Sequence, residues 1–331
     1  MSREASQSSC PGGAQARDVQ PGPSWQSIWL QRTMRLAMAL HFGSPESDAT
    51  GIAAIRKYTK RYSWPFRRMA AWRHARIRRQ PDRELQGEWL LARQDASANA
   101  EGPVVLYLHG GGYCFGSPLT HRALTTEFAS ATNAAVLALD YRLAPEHPFP
   151  AALTDALAAW RTLLARGIAP GSIAIAGDSA GAGLALALLV ALRDAGKPLP
   201  ACAVLLSPWV DLTTIWRADH GDLMMNRTAM EQAAKQYLGH ASARNPLASP
   251  ARASMHGLPP VHIQWSDTEL LKIDALELAH RLEKQGNAVE CRQWTAVPHA
   301  WHCFAPLLPE ARAAVAGAAD FMRRCWGHPV A

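Results

Sequence analysis

Ile173-Ala174-Ile175-Ala176-Gly177-Asp178-Ser179-Ala180-Gly181-Ala182-Gly183 is the stretch around which this chain is organised. Its first four residues make a short apolar run of the kind that forms a buried strand. From Ala182 to Leu192 the chain is rich in strong helix formers. Ser179 is therefore expected on a sharp strand-to-helix turn, in a strained backbone conformation, with Gly177 and Gly181 giving the flanking positions conformational freedom. Such a turn lifts the serine hydroxyl above the sheet. It also puts the Ala180 amide in the first turn of a helix, where unpaired N–H groups bind anions. A bare G-x-S-x-G also occurs in surface turns; between an apolar run and a helix it is the setting of a serine nucleophile.

A serine hydroxyl is a poor nucleophile at neutral pH and needs a base within hydrogen-bond reach, itself oriented by a third group. After an elbow of this kind the partners follow in the order acid, then histidine, on loops at the carboxyl ends of strands. Asp267 leaves the apolar run Val261 to Trp265 almost at once, and His299 leaves the run Val289 to Trp294 in the same way. Each is the first suitable residue off its strand, so Ser179, Asp267 and His299 are the expected triad. Glu269, two residues on, is expected to enter the following helix, and His302 to lie a turn beyond His299. Asp178 is expected to point away from Ser179 and to stabilise the turn. The tetrahedral intermediate of acyl transfer needs preorganised donors for its oxyanion. His109-Gly110-Gly111-Gly112 follows the apolar run Val104 to Leu108, where glycines let backbone amides approach a ligand closely. The amides of Gly111, Gly112 and Ala180 are the expected donors.

Strand signals at about 76–78, 87–92, 104–108, 135–139, 173–176, 203–206, 261–265 and 289–294 alternate with helical stretches, which predicts an α/β fold with a doubly wound, mostly parallel sheet. Two helical stretches, from Ser24 and from about Ser47, precede the sheet, and the strand rhythm lapses between Pro208 and His256. Both regions read as lid. The expected organisation is thus a disordered terminus over 1–23, an N-terminal part of the cap over 24–73, sheet core over 74–207, a cap insertion over 208–256 and sheet core over 257–331.

The chain has 331 residues, 48% of them apolar and 18% charged, which is ordinary for a globular enzyme and argues against wholesale disorder. The net charge of +7 owes much to ten Lys and Arg between Arg56 and Arg79, interleaved with Trp64, Phe66 and Trp72. Such a segment raises nucleic-acid or membrane-surface contact. The favoured reading is a solvated helix face with an aromatic underside. Six scattered cysteines without a C-x-x-C pair suit reduced thiols, and the first residues hold no apolar signal region, so a cytoplasmic protein is expected. No cofactor and no metal are expected; a His302–Cys303 metal reading lacks a second ligand cluster.

These motifs resemble those of the hormone-sensitive-lipase-like family of α/β-hydrolases, whose bacterial members are carboxylesterases. The resemblance runs from about His74 to the C-terminus and rests on H-G-G-G-Y-C-F-G-S at 109–117, D-Y-R-L-A-P-E-H-P-F-P at 140–150, G-D-S-A-G at 177–181, S-P-W-V-D-L at 207–212 and the Asp267 and His299 contexts. It implies about eight strands, a helical cap and ester hydrolysis without cofactor. Cys114 departs locally from the pattern, where an aliphatic residue is expected; it either lines the pocket or packs.

Three functions compete: a serine carboxylesterase; a relative on the same fold acting as lactone hydrolase, deacetylase, ligand binder or dehydratase; and a nucleic-acid binder working through the basic segment. The complete triad favours the first, and the third lacks any recognised motif. Expected partners are a small-molecule ester and no nucleic acid, with no stable membrane insertion; a homodimer stays open. Trp25, Ile28, Trp29 and Leu30, with Met224, Met225 and Met230, are expected to close apolar faces over Ser179. Tyr113, Phe115 and Trp209 are bulky enough to end a short acyl pocket, and no long exposed apolar stretch suggests adsorption to an oil interface. Esters of about two to eight carbons are the expected substrates.

Overall fold

The computed structural model describes residues 22–41, 49–92, 102–214 and 222–327, with the side chains of 37–41 and 49–50 left aside. The terminus expected to be disordered falls almost entirely outside them. In chain order the elements are α1 (Trp25–His41), α2 (Ala49–Tyr62), α3 (Trp64–Arg73), β1 (Arg78–Asp82), β2 (Gly87–Leu91), β3 (Val104–Leu108), α4 (Pro118–Thr132), β4 (Ala135–Leu139), α5 (Ala151–Ala165), β5 (Ile173–Asp178), α6 (Ala180–Asp194), β6 (Cys202–Leu206), α7 (Arg227–Leu238), β7 (Val261–Ser266), α8 (Lys272–Lys284), β8 (Val289–Trp294) and α9 (Pro309–Cys325). The eight strands form one sheet in the order β1-β2-β4-β3-β5-β6-β7-β8. The pairs β1–β2 and β2–β4 are antiparallel and the other five are parallel.

Strands β3, β4, β5 and β6 are buried along their whole length, as continuous apolar runs in a sheet covered on both faces should be. Their side chains alternate between two cores. Val104, Leu106, Leu108, Ile173 and Ile175 join Leu153 and Trp160 of α5 and Leu184 of α6. Val105, Tyr107, Ala174, Ala176 and Val204 join Leu124 and Phe128 of α4 and Val315 and Met322 of α9. The period-two alternation of the strand thus decides which helix layer each residue meets. The expected fold class and strand number hold. The strand expected near Arg76 begins at Arg78 and is mostly exposed, a polar edge on the sheet.

The N-terminal helices depart from expectation in what they bury. Ser24 accepts from the Ser27 amide at 3.2 Å, as a capping serine should, and binds Glu310 of α9 through its own amide and hydroxyl. Helix α1 seats Leu30 and Met34 on a cluster built by Trp294, Val297, Trp301 and Leu308. Trp25, Ile28 and Trp29, expected to close over the nucleophile, face solvent instead. The reason is helical geometry: one stripe of a helix can meet the cluster, and Ser27, Leu30, Gln31 and Met34 occupy it. In α2, Ile52 enters the main core, while Arg56 donates to the carbonyls of Cys114 at 2.8 Å and Ala144 at 2.9 Å and pairs with Glu146. Helix α3 turns Phe66 inward, edge-on to Phe304 at 5.0 Å, and turns Trp64 and Trp72 outward. The aromatic underside expected of the basic segment is therefore Phe66 alone. In the 208–256 stretch, Asn226 caps α7 through the Ala229 amide, and the helix buries Met230, Ala234 and Tyr237. Met224 stays exposed and Met225 half-buried. No helix among the described residues is long and apolar enough to cross a membrane.

Candidate active site

Strand β5 lies at the centre of the sheet, between β3 and β6, and ends on the candidate nucleophile. Ser179 has φ 53° and ψ −122°, a region that non-glycine residues avoid. It is held there from both sides: its amide donates to Leu206 at 2.8 Å, and its carbonyl accepts from Ala182, Gly183 and Trp209 at 3.1–3.2 Å. The flanking glycines act by a different cause from the one expected. Neither has a positive φ. A Cβ on Gly177 would stand 2.4 Å from the Gly181 carbonyl oxygen, and one on Gly181 would stand 2.1 Å from that of Leu108. They are required by the close approach of strand and helix.

The 109–112 turn is tied to the elbow by Asp178. Its Oδ1 accepts from the Gly110 amide at 2.9 Å and from the Tyr107 hydroxyl, while its Oδ2 faces His121 Nε2 at 3.4 Å. Burial opposes ionisation of Asp178, but the His121 charge, the Tyr107 hydroxyl and the Gly110 amide hold its carboxyl well below the usual range. Burial likewise opposes the His121 charge, and Asp178 raises its pKa well above the ordinary value. A Cβ on Gly110 would lie 2.2 Å from Oδ2, so only glycine fits between turn and elbow. Asp178 thus stabilises the turn, as expected, and also fixes the neighbouring loop. Gly111 and Gly112 have φ 120° and 58°, backbone open to glycine. Among the described residues no acceptor takes the amides of Gly111, Gly112 or Ala180. His109 is no candidate base: it stacks on Tyr141 at 4.3 Å, its Nδ1 meets the Gly110 carbonyl, and burial pushes its pKa down to about 3.

The expected acid is corrected by geometry. His299 Nδ1 lies 2.8 Å from Glu269 Oε2, and both residues are buried. Asp267 goes elsewhere: its Oδ1 accepts from the Ala296 amide at 2.7 Å. The cause is strand pairing that continues one residue past β7, where the Asp267 amide donates to the Trp294 carbonyl at 2.9 Å. This keeps Asp267 in the ladder and aims its carboxylate at the turn after β8. Glu269 does not enter α8, which starts at Lys272; it sits in the intervening turn. Its Oε1 accepts from the Ser266 amide at 3.0 Å, which leaves Oε2 for the histidine. The missed signal was length: the longer glutamate reaches back from a turn that an aspartate leaves too early. Ser266 and Thr268 clamp the histidine loop further, both donating to the Val297 carbonyl.

Burial lowers the His299 pKa, but its hydrogen bond to Glu269 and that carboxylate's charge outweigh this and raise it above the ordinary value. His302, the alternative histidine, is a buried structural group whose Nε2 meets Gln264 Oε1 at 3.0 Å, with a pKa pushed down to about 3 by burial. Cys114 packs: its Sγ faces the Ala233 carbonyl and Gln236 of α7, and burial pushes its thiol up to about 12. Among the described residues one set of possible metal-ligand atoms, on His121, Asp178 and Cys303, lies within 4.8 Å. Within that set His121 Nε2 and Asp178 Oδ2 face each other at 3.4 Å as a pair, the carboxylate raising the imidazole pKa well above its ordinary value.

Above the glycine turn the walls are close. A Cβ on Gly112 would stand 3.3 Å from Ala233 of α7, 3.9 Å from Phe115 and 4.0 Å from Trp209. Tyr113 stacks on Tyr237 at 3.6 Å and leans on Trp209 at 5.9 Å. A serine on a strained elbow, a buried histidine–carboxylate pair and open amides beside a narrow apolar wall are the parts of an acyl-transfer site.

Residues 105–303 match the family model described as the alpha/beta hydrolase fold. An acetyl-hydrolase of Streptomyces hygroscopicus is 47% identical over 246 residues, 72% of this chain and 80% of that protein. Among solved structures, an esterase from the bacterial hormone-sensitive lipase family superposes with a TM-score of 0.80 at 35% identity, covering 93% of this chain and all of that one. The esterase EstE5, soaked with p-nitrophenyl butyrate, gives 0.79 at 35% identity over 92% and 99% of the two chains. This chain belongs to the hormone-sensitive-lipase-like branch of the α/β-hydrolase fold family.

Proposed function

We propose that the chain hydrolyses carboxylic esters of short to medium acids through an acyl-serine intermediate, with Ser179, His299 and Glu269 as its triad. By its family the chain is a carboxylic ester hydrolase; the assignment of residues and the acyl range are the proposal. Neutral His299 takes the Ser179 proton as the hydroxyl attacks the ester carbonyl. Glu269 holds the Nδ1–H tautomer, so that Nε2 is the accepting atom, and stabilises the imidazolium that forms. The amides of Gly111, Gly112 and Ala180 receive the oxyanion. The imidazolium then returns its proton to the leaving alkoxide, and a water molecule activated by the same histidine releases the acid. Residues 24–73 and 208–256 are read as two parts of one cap over this site, with 74–207 and 257–331 as the sheet core.

The observation that carries the triad is the 2.8 Å contact between His299 and Glu269, made at the carboxyl end of the sheet that also presents Ser179. The short acyl range rests on Ala233, Phe115 and Trp209 standing within about one van der Waals contact of Gly112. The acetyl-hydrolase relative fits this range. The test is kcat/KM across p-nitrophenyl esters from acetate to palmitate. Each buried methylene adds about 0.8 kcal/mol until the wall is met, so an optimum at or below about eight carbons is expected. An optimum at palmitate overturns the acyl range.

A further inference from the structure

We propose that the outer faces of α1 and α3 are a docking surface for an anionic lipid bilayer, on which the enzyme lies peripherally with its cap against the headgroups. The charge of the chain is segregated toward the segment that holds α1, α2 and α3, with five of its cations, Arg32, Arg35, Arg67, Arg68 and Arg73, on α1 and α3 themselves. Between Ser24 and Gln80 stand twelve Lys and Arg against two acids, Glu46 and Asp48, which lie outside the described residues. The whole chain carries +7, so the remainder is net negative.

The cations alternate with exposed indoles. On α3, Trp64, Arg68 and Trp72 follow one another at four-residue spacing down one face. Trp64 is 53% exposed and Trp72 84%, and the Arg68 guanidinium sits 5.1 Å from the Trp64 ring centre. Helix α1 repeats the pattern with Trp25, Trp29, Arg32 and Leu36, whose three apolar members are 71%, 55% and 62% exposed. Both helices turn their inner faces to one cluster, α1 through Leu30 and Met34 and α3 through Phe66, so both outer faces point away from that same cluster. Large indoles in water are costly singly and more so as a group. Tryptophan prefers the headgroup level of a bilayer, and Lys and Arg are drawn to anionic lipid. A second copy of the chain would present the same positive charge and be repelled. A nucleic-acid strand would need its stacking rings along one groove, and here they stand on the exposed faces of two separate helices.

The surface is joined to the site. The inner face of α1 rests on Val297 and Trp301, which flank His299, and Arg56 of α2 holds the Cys114 carbonyl of the glycine loop. Docking would bring the cap to esters dissolved in the bilayer. The sequence shows no long exposed apolar stretch because the exposed apolar residues are split between two helices.

The test uses the full chain as Ser179→Ala, so that binding is read without turnover and independently of the esterase assignment. Co-sedimentation and tryptophan emission are measured with vesicles of phosphatidylcholine alone and with about one third phosphatidylglycerol. Binding to the anionic vesicles with a blue shift is expected, weakened about tenfold or more near 1 M salt, where the screening length falls to about 3 Å. The further double substitution Trp64→Ala/Trp72→Ala should weaken it about tenfold as well. The same double substitution in the active enzyme should leave hydrolysis of soluble p-nitrophenyl butyrate unchanged. Sedimentation no better than with phosphatidylcholine alone overturns the proposal, and so does undiminished binding by the double variant. A dimer that shifts the emission without lipid, or retention by nucleic acid without vesicle binding, overturns it equally.

Discussion

The loops at the carboxyl end of the sheet and the helices of residues 24–79 treat polar groups in opposite ways. At the sheet end, Asp178, Asp267, Glu269 and Ser266 each satisfy a backbone amide, carbonyl or ring nitrogen of the neighbouring loop. Their charges act inward and fix one arrangement. On α1 and α3 the indoles and Arg32, Arg35, Arg68 and Arg73 point outward, and the inner stripe is held. The first region is built to hold atoms still for a reaction, whereas the second has its chemistry at the surface. Substitutions in the first should therefore change rate at a soluble ester, and substitutions in the second should not.

The largest break in that contrast would come from the triad. Ser179→Ala and His299→Ala should each lower kcat by roughly 10⁴-fold or more, and the double variant should lose little further, because the two act as a unit. Steady-state kinetics with p-nitrophenyl butyrate decide this; substantial turnover by Ser179→Ala would mean another nucleophile. Next in size is Asp178→Asn, which leaves the His121 charge without its partner and loosens the Gly110 anchor. A fall in kcat of about 10- to 100-fold with KM little changed is expected, if the anchor serves the oxyanion donors. A fall in melting temperature with kcat intact would make Asp178 a purely structural group.

A smaller effect concerns pH. The active form has neutral His299, and Glu269 raises the histidine pKa. kcat/KM should therefore rise with pH through an apparent pKa above the ordinary value of about 6.5, and level off beyond it. Replacing Glu269 by Gln should move that limb toward lower pH while lowering the plateau. An unmoved limb would separate Glu269 from the titrating group. The smallest expected effect is that of Trp72→Ala on the soluble ester, with kcat/KM within about twofold of the parent, as for surface sites in general.

Most of the sheet end was legible because close backbone approach leaves marks in sequence. Gly177, Gly181 and Gly110 stand where any Cβ would meet backbone or carboxylate atoms at 2.1–2.4 Å. Such positions admit few residues, so the motif and the geometry coincide. The carboxylate that meets His299 differs from the expected one because a carboxylate's partner depends on where strand pairing stops, and sequence does not mark that Asp267 remains paired with Trp294. Two acids two residues apart differ by one methylene and one turn, which is enough to exchange their roles. The indoles of α1 and α3 depart from the expected inward direction for a related reason. Apolar residues at helical spacing suggest an inward face, yet Leu30 and Met34 already fill the stripe that meets the cluster. Composition located the basic segment but not the direction its indoles take.

The comparison of Glu269→Gln with Asp267→Asn tests the central claim most directly, since both variants keep size and an accepting oxygen. Measured as kcat/KM for p-nitrophenyl butyrate near the plateau of the pH profile, Glu269→Gln should fall by about 10²- to 10⁴-fold, as when a triad acid loses its charge. Asp267→Asn keeps an acceptor for the Ala296 amide and should stay within about tenfold of the parent. The reverse order, with Asp267→Asn the crippled variant and Glu269→Gln nearly intact, would contradict the His299–Glu269 assignment and return the acid's role to Asp267.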